Sequence, residues 1–202
     1  MKWRCLHFCF ARLLVVSAWA SAMTIQTGTD STVLVEPGQT WRYLRGTAVP
    51  SEPADAWTQV DFDDSHWLSG PAGFGYGDED DATVLDDMQG RYVSVYVRAT
   101  FSVAPPIGSG MLELVIDFDD GFIAYLNGRE VARRNMPDGP VTFATTASSH
   151  EAGSPEAIVL GPAADLLVEG ENILAIEGHN TSAGSSDFSL SPLLRMSSGA
   201  LR

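Results

Sequence analysis

The densest group of side chains capable of chemistry lies in residues 117–135, with the sequence DFDDGFIAYLNGREVARRN. Asp119 and Asp120 precede a glycine, while Arg133 and Asn135 follow a short apolar run and a second turn. Carboxylates, guanidinium groups and amides are planar polar groups that hydrogen-bond sugar hydroxyls. Aspartates before a glycine are also explained by turn formation, since their side chains accept backbone hydrogen bonds. The sequence leaves both interpretations open.

Sugar recognition also needs a flat aromatic face for the C–H side of the ring. Trp57 and Tyr76 are the candidates, although Trp57 is also explained by packing in the interior. The predicted carbohydrate-binding residues are Trp57, Tyr76, Asp119, Asp120, Arg133 and Asn135.

A second acidic group, DEDD at residues 78–81, offers only oxygen ligands, which suit Ca²⁺ and not zinc. We therefore predict a calcium site at Asp78, Asp80 and Asp81, with a solvated acidic loop as the alternative. The stretch from Asp117 begins like an EF-hand loop, but its glycine comes one place early and Gly128 stands where the closing glutamate belongs. The EF-hand is rejected.

No pattern of residues defines a catalytic centre. A glycosidase needs two carboxylates facing each other across the sugar, and a sequence cannot show that separation. His66, His150 and His179 lack a nucleophile elbow or another supporting motif. We predict that the chain is not an enzyme, with a hydrolase of glycosides or phosphate esters as the less favoured alternative.

Alternating apolar residues predict the strands that must position these groups. Residues 92–103 (YVSVYVRATFSV) alternate strictly, so one face should be core and the other wet or facing a partner. The Asn127-Gly128 pair predicts a type I′ hairpin after residues 122–126. Residues 173–177 are almost continuously apolar, which is typical of a central strand.

Other segments are predicted with weaker signals. The glycine-rich residues 70–77 suggest a long loop, residues 141–144 a short strand, and residues 165–170 a helical turn closed by Gly170. Pro192 places the last strand at a sheet edge or at a bend. Since no segment has a long helical period, the predicted fold class is all-β: a single antiparallel β-sandwich or jelly roll with short helical turns.

The first residues predict export. Lys2 and Arg4 precede an apolar run over residues 6–16, and small residues follow, as in a signal peptide spanning residues 1–22. Residues 23–202 then form one domain. Cys5 and Cys9 lie inside the signal, so the mature chain has no thiol for a disulfide, a nucleophile or a zinc site.

The charge of the mature chain restricts its partners. Of the 12 basic residues, 9 remain after Lys2, Arg4 and Arg12 are removed, against 26 acidic residues, which gives a net charge of −17. The negative electrostatic potential of such a chain would repel nucleic acid and anionic membranes, so it argues against both as partners. It favours neutral partners or cations. The alternative interpretation is that the acidity only keeps an exported protein soluble.

Several motifs, in order, resemble the galactose-binding-domain-like jelly rolls: FDDSHW, GPAGFGYGDEDDATV, YVSVYVRATFSV, DFDDGFIAYLNGREVARRNMP and GENILAIEGHNTSAGSSDFSL. They are similar to the sugar-binding domain of β-galactosidase-type glycoside hydrolases and to modules that precede secreted metallophosphoesterase domains. The resemblance covers most of residues 41–190. It implies a β-sandwich that often binds carbohydrate and often carries a structural calcium ion.

Together these observations predict a secreted, non-catalytic carbohydrate-binding module with a possible calcium ion, whose partner is a carbohydrate or cell-surface glycan. The alternative is a structural or protein-interaction module associated with a secreted hydrolase.

Overall fold

The alternating segments form two stacked sheets. The computed structural model describes residues 31–197, so the predicted signal peptide and both cysteines lie outside the described residues. Within residues 31–197 the helical elements are a 3-10 turn over Ala56–Thr58 and α1 over Ala163–Leu166. The strands are β1 (Ser31–Val35), β2 (Thr40–Arg45), β3 (Leu68–Pro71), β4 (Phe74–Tyr76), β5 (Thr83–Val84), β6 (Ser94–Val103), β7 (Met111–Asp119), β8 (Gly121–Leu126), β9 (Arg129–Arg134), β10 (Glu156–Pro162), β11 (Gly170–His179) and β12 (Phe188–Ser197).

The strand order confirms the predicted sandwich. Sheet 1 has the order β10-β7-β12-β4-β5, with β1 also paired to β12, and sheet 2 has the order β3-β2-β6-β11-β8-β9. All pairs are antiparallel except the short β4–β5 pair. The inner faces of the two sheets form the main core, in which Val97, Leu114, Ile116, Phe122 and Ile176 are fully buried.

The hairpin predicted from Asn127-Gly128 is confirmed. β8 pairs with β9, and Asn127 (φ +50°) and Gly128 (φ +85°) both have the positive φ of a type I′ turn. The Asn127 side chain also donates a 2.8 Å hydrogen bond to Oδ1 of the buried Asn172. The hairpin is thereby fixed to β11, which is the central strand that the apolar run predicts.

The outer face of sheet 2 corrects one expectation. The second face of residues 92–103 was predicted to be wet or to face a partner, but Ser94, Tyr96 and Arg98 are buried. Residues 47–67 and 137–145, here called the covering segments, lie over this face. A second apolar cluster forms between them and the sheet, made of Trp57, Trp67, Tyr96 and Ala175 with Leu44, Phe62, Tyr125 and Phe143 packed against it.

Arg98 holds the first covering segment onto the sheet. Its Nε donates to Asp64 Oδ2 at 2.7 Å, and its Nη atoms donate to the carbonyls of Trp57, Gln59 and Phe62. The side chain is 2% exposed, so these acceptors replace nearly all of its hydration. A guanidinium group has the number of donors that such a hub requires.

The glycine-rich segment 70–77 was predicted to be a long loop, and this prediction is wrong. The segment contributes residues to β3 and β4 instead. A Cβ atom on Gly75 would lie 2.0 Å from the Phe188 carbonyl oxygen, and one on Gly70 would lie 2.4 Å from Thr83 Oγ1. Gly75 therefore permits close approach between the paired strands β4 and β12, and Gly70 permits close approach between β3 of sheet 2 and β5 of sheet 1. This is a different use of glycine from loop flexibility.

Pro192 does not lie in an edge strand, because β12 is paired on both sides. β7 follows it along one side, while β4 pairs with residues 188–190 and β1 with residues 194–197 on the other. Pro192 falls in the gap between β4 and β1, where a missing N–H breaks no ladder.

Two smaller predictions are also wrong. Residues 141–144 are not a strand, because they belong to the second covering segment, where the Phe143 carbonyl accepts a hydrogen bond from Ser94. The helical turn comes earlier than predicted, and Gly170 (φ +90°) begins β11 instead of closing the helix. No helix within residues 31–197 has the length and apolar character needed to span a membrane.

Candidate functional site

One candidate site lies between the two covering segments on the outer face of sheet 2, and we call it the outer-face cleft. Its volume is about 670 Å³, within the range of small-molecule sites. The first covering segment supplies Val49, Pro50 and Trp57, and the second supplies residues 138–143. The strands of sheet 2 supply the floor, with Tyr96, Tyr125, Glu130, Arg133 and Glu177.

Aromatic side chains dominate this floor. The Trp57 ring packs edge-on against Tyr96 and Tyr125, with centroid separations of 5.0 and 5.6 Å, and stacks on Trp67 at 6.2 Å. Trp57 is only 3% exposed, whereas Tyr125 and Phe143 are partly exposed. Trp57 therefore supports the floor, and Tyr125 and Phe143 offer more aromatic surface to a ligand.

A chain of hydrogen bonds fixes the position of Glu177 in the cleft. The Tyr125 hydroxyl donates to Glu177 Oε1 at 2.7 Å, and His179 Nε2 lies 3.2 Å from Glu177 Oε2. His179 Nδ1 lies 2.8 Å from the Thr145 carbonyl oxygen, which accepts, so Nδ1 carries a proton. Burial, followed by the negative charge of Glu177, raises the pKa of Tyr125, so that this hydroxyl remains a donor.

Arg133 is the one basic residue among the described residues that line the cleft, and three of its five N–H donors are engaged within the chain. Its Nε and Nη2 donate to the two oxygens of Glu130 at 2.9 and 2.8 Å, and its Nη1 donates to the Pro137 carbonyl at 2.7 Å. The hydrogen bond to Arg133 lowers the pKa of Glu130. Asp55, Glu130, Asp138 and Glu177 make the lining acidic overall.

A second pocket, here called the acidic pocket, lies on the outer face of sheet 1, along β7 and β12. Its volume is about 520 Å³, and its lining residues supply seven carboxylates and no basic side chain. Those carboxylates belong to Asp78, Asp80, Asp81, Asp117, Asp119, Glu151 and Asp187. Two triplets bring oxygens within 4.8 Å of one another: Asp78, Asp80 and Asp81, and Asp119, Glu151 and Asp187.

Two of these carboxyl groups have strongly raised pKa values. Burial, followed by the charges of Asp120 and Asp187, raises the pKa of Asp119 to about 7. Burial, followed by the charges of Asp78 and Asp80, raises the pKa of Asp81 to about 7. Each also has a buried oxygen, Asp119 Oδ1 and Asp81 Oδ2, that accepts no hydrogen bond from the described residues. The pocket therefore concentrates negative charge that a cation would neutralise.

The structure separates the predicted sugar-binding residues. Trp57 and Arg133 line the outer-face cleft, whereas Asp119 lines the acidic pocket with the predicted calcium ligands Asp78, Asp80 and Asp81.

Three further predicted residues line neither pocket. Asp120 accepts hydrogen bonds from the backbone N–H groups of His150 and Thr181, and Asn135 donates to the Asp120 carbonyl at 2.9 Å. The Tyr76 hydroxyl donates to the Ser185 carbonyl at 3.0 Å. Since these three residues line neither pocket, we leave them out of the proposed sites.

The sequence alone did not assign the other members to these two sites. Tyr125 lies inside the apolar run of β8, and its hydroxyl is the one polar side-chain group in that run. That hydroxyl is the feature of the sequence that could have indicated a binding role. Glu177 and His179 alternate at the end of an apolar strand, so they share one face of it. Phe143, Glu151 and Asp187 lie in irregular segments whose positions follow from tertiary packing and not from a local pattern.

Solved structures with this fold occur among the beta-glucuronidases. One from an uncultured Clostridium species is 16% identical, with a TM-score of 0.52, over 93% of this chain and 31% of that chain. A Bacteroides uniformis beta-glucuronidase is 14% identical, with a TM-score of 0.55, over 83% of this chain and 18% of that chain. A calcium binding mutant of B. uniformis beta-glucuronidase 2 has the same identity and coverage, with a TM-score of 0.52.

These matches define the class of fold. The chain spans less than a third of each of these enzymes, and the match is to their β-sandwich part. The galactose-binding-like sandwich implied by the sequence resemblance is therefore confirmed as the fold. No protein-family model matches the chain, and no curated protein matches its sequence.

Proposed function

We propose that this protein is a secreted, non-catalytic carbohydrate-binding module and that the outer-face cleft is its sugar site. The observation that carries the proposal is the combination in one cleft of partly exposed aromatic rings and a fixed carboxylate. Tyr125 and Phe143 provide apolar faces for sugar C–H groups, and Glu177 provides an acceptor for hydroxyls. The fold shared with the β-sandwich part of beta-glucuronidases is consistent with this role.

The charge of the cleft selects the class of sugar. A uronic acid would bring a carboxylate toward four acidic side chains, while the charge of the single guanidinium group is already paired with Glu130. Bringing like charges together disfavours binding. We therefore propose neutral glycans as ligands.

The cleft carboxylates support binding without hydrolysis. A glycosidase needs a general acid with a raised pKa, whereas the pKa of Glu130 is lowered by Arg133. Glu177 is 4% exposed and already contacts Tyr125 and His179. The predicted calcium site at Asp78, Asp80 and Asp81 belongs to this proposal as a structural element, supported by the unpartnered Oδ2 of Asp81.

The second candidate function is a structural or protein-interaction module accessory to a secreted hydrolase. It is favoured by the fact that the matched region forms 18% to 31% of much longer glycosidase chains. Recovery of a partner enzyme from culture supernatant, without binding of any polysaccharide, would favour this alternative.

Glycan binding is tested by calorimetry on the mature protein with a neutral galactan and with polygalacturonate. We expect saturable binding of the galactan and no measurable binding of the polyuronate. Phe143→Ala should weaken galactan binding about fivefold, because losing an aromatic contact costs on the order of 1 kcal/mol. Tyr125→Phe should also weaken it, since the hydroxyl orients Glu177.

Tyr43→Phe is the matched control, because Tyr43 packs against the main core on the other face of sheet 2. Its affinity should equal that of the unmodified protein. Tighter binding of the polyuronate, or equal effects of the two tyrosine variants, would refute the assignment of the cleft to neutral sugars.

A further inference from the structure

The starting observation is an acceptor without a donor at the β7–β8 corner. Asp119 is 5% exposed, and its Oδ1 receives no hydrogen bond from the described residues. Turn formation does not explain it, because the neighbouring Asp120 is the residue that accepts the backbone N–H groups there. A buried carboxylate oxygen without a partner is unfavourable, so a missing cationic partner is the natural explanation.

Two further carboxylates converge on the same point from distant parts of the chain. Asp119 ends β7, Glu151 belongs to the segment before β10, and Asp187 immediately precedes β12. One oxygen from each lies within 4.8 Å of the others. Opposite ligands of a bound Ca²⁺ are separated by about 5 Å, given its bond lengths, so the three oxygens can share one ion.

The surroundings of the triplet supply no competing positive charge. The lining of the acidic pocket contains seven carboxylates and no basic side chain. The ligand set is entirely oxygen, which selects a hard cation over zinc or copper.

We propose that Asp119, Glu151 and Asp187 form a binding site for Ca²⁺, separate from the Asp78, Asp80 and Asp81 triplet. The ion ties together the β7–β8 corner, the segment before β10 and the segment before β12. This site does not depend on glycan binding at the outer-face cleft.

Calorimetric titration of the chelator-treated mature protein with CaCl₂ tests the proposal. Asp119→Asn and Glu151→Gln should each lower the affinity by roughly tenfold or more, because charged ligands set the affinity of such sites. Glu151 is exposed, so its replacement tests the ligand without disturbing the core. Asp80→Asn tests the other triplet and should change the affinity of this site by less than about threefold.

Glu169→Gln is the matched control, since Glu169 is also exposed but does not line the acidic pocket. It should bind Ca²⁺ like the unmodified protein. The proposal is overturned if the unmodified protein binds no Ca²⁺, if Glu151→Gln binds it unchanged, or if Asp80→Asn has the larger effect. Loss of galactan binding with Ca²⁺ binding intact would refute only the function proposed for the cleft.

Discussion

Replacing Arg98 with methionine should lower the free energy of unfolding by about 3–5 kcal/mol, the range measured when one partner of a buried ion pair is removed. Arg98 is buried, and the variant would leave Asp64 and the carbonyls of Trp57, Gln59 and Phe62 without their donor. Guanidinium chloride unfolding, followed by tryptophan fluorescence, measures the change.

The same substitution should weaken binding of a neutral glycan, because Arg98 holds the segment that carries Trp57. Arg195→Met is the matched control: Arg195 pairs with Glu113, but its side chain is 40% exposed, so its loss should cost less than about 1 kcal/mol. Equal losses in the two variants would show that Arg98 does not organise the covering segment.

In the presence of a chelator, the protein should become less stable as the pH rises from about 5 to about 8. The pKa values of Asp81 and Asp119 are raised to about 7 in the folded protein, above the ordinary value of 3.8. The folded state therefore binds these protons more tightly than the unfolded chain does. The stabilisation is fully present below the ordinary pKa and is lost as the pH passes through 7.

The expected loss is on the order of 2 kcal/mol, less than the two raised pKa values would give without screening by water. Chemical unfolding in EDTA at several pH values measures it. Asp87 and Glu130, whose pKa values are lowered, change stability only below about pH 4.5. Asp119→Asn should flatten the profile, and stability that stays constant or rises between pH 5 and 8 would contradict this account.

Local patterns predicted the scaffold because they directly encode strand geometry. The alternation of residues 92–103 became β6, and Asn127-Gly128 accepted the positive φ values that a type I′ hairpin requires. The same patterns could not show that residues 47–67 cover the outer face of sheet 2. Burial of Tyr96 and Arg98 there depends on contacts between segments more than 30 residues apart.

The sites were less predictable than the scaffold because their members come from separate elements. Trp57 and Arg133 were recognised as sugar-binding candidates by residue type, but Glu177 joins them only through the pairing of β8 with β11. The aspartates at residues 78–81 were recognised as a group, yet Glu151 and Asp187 reach the same pocket from irregular segments. For both pockets, the sequence showed which residue types could bind a ligand, but it did not show which of these residues lie close together in the fold.

The central claim, that the outer-face cleft binds a neutral glycan, is tested most directly by NMR titration of isotope-labelled mature protein with a neutral galacto-oligosaccharide. The account predicts concentration-dependent shifts in the Trp57 indole signal and in the amides of residues 125–133 and 138–143. Shifts confined to residues around the acidic pocket, or no shifts at saturating oligosaccharide, would contradict it.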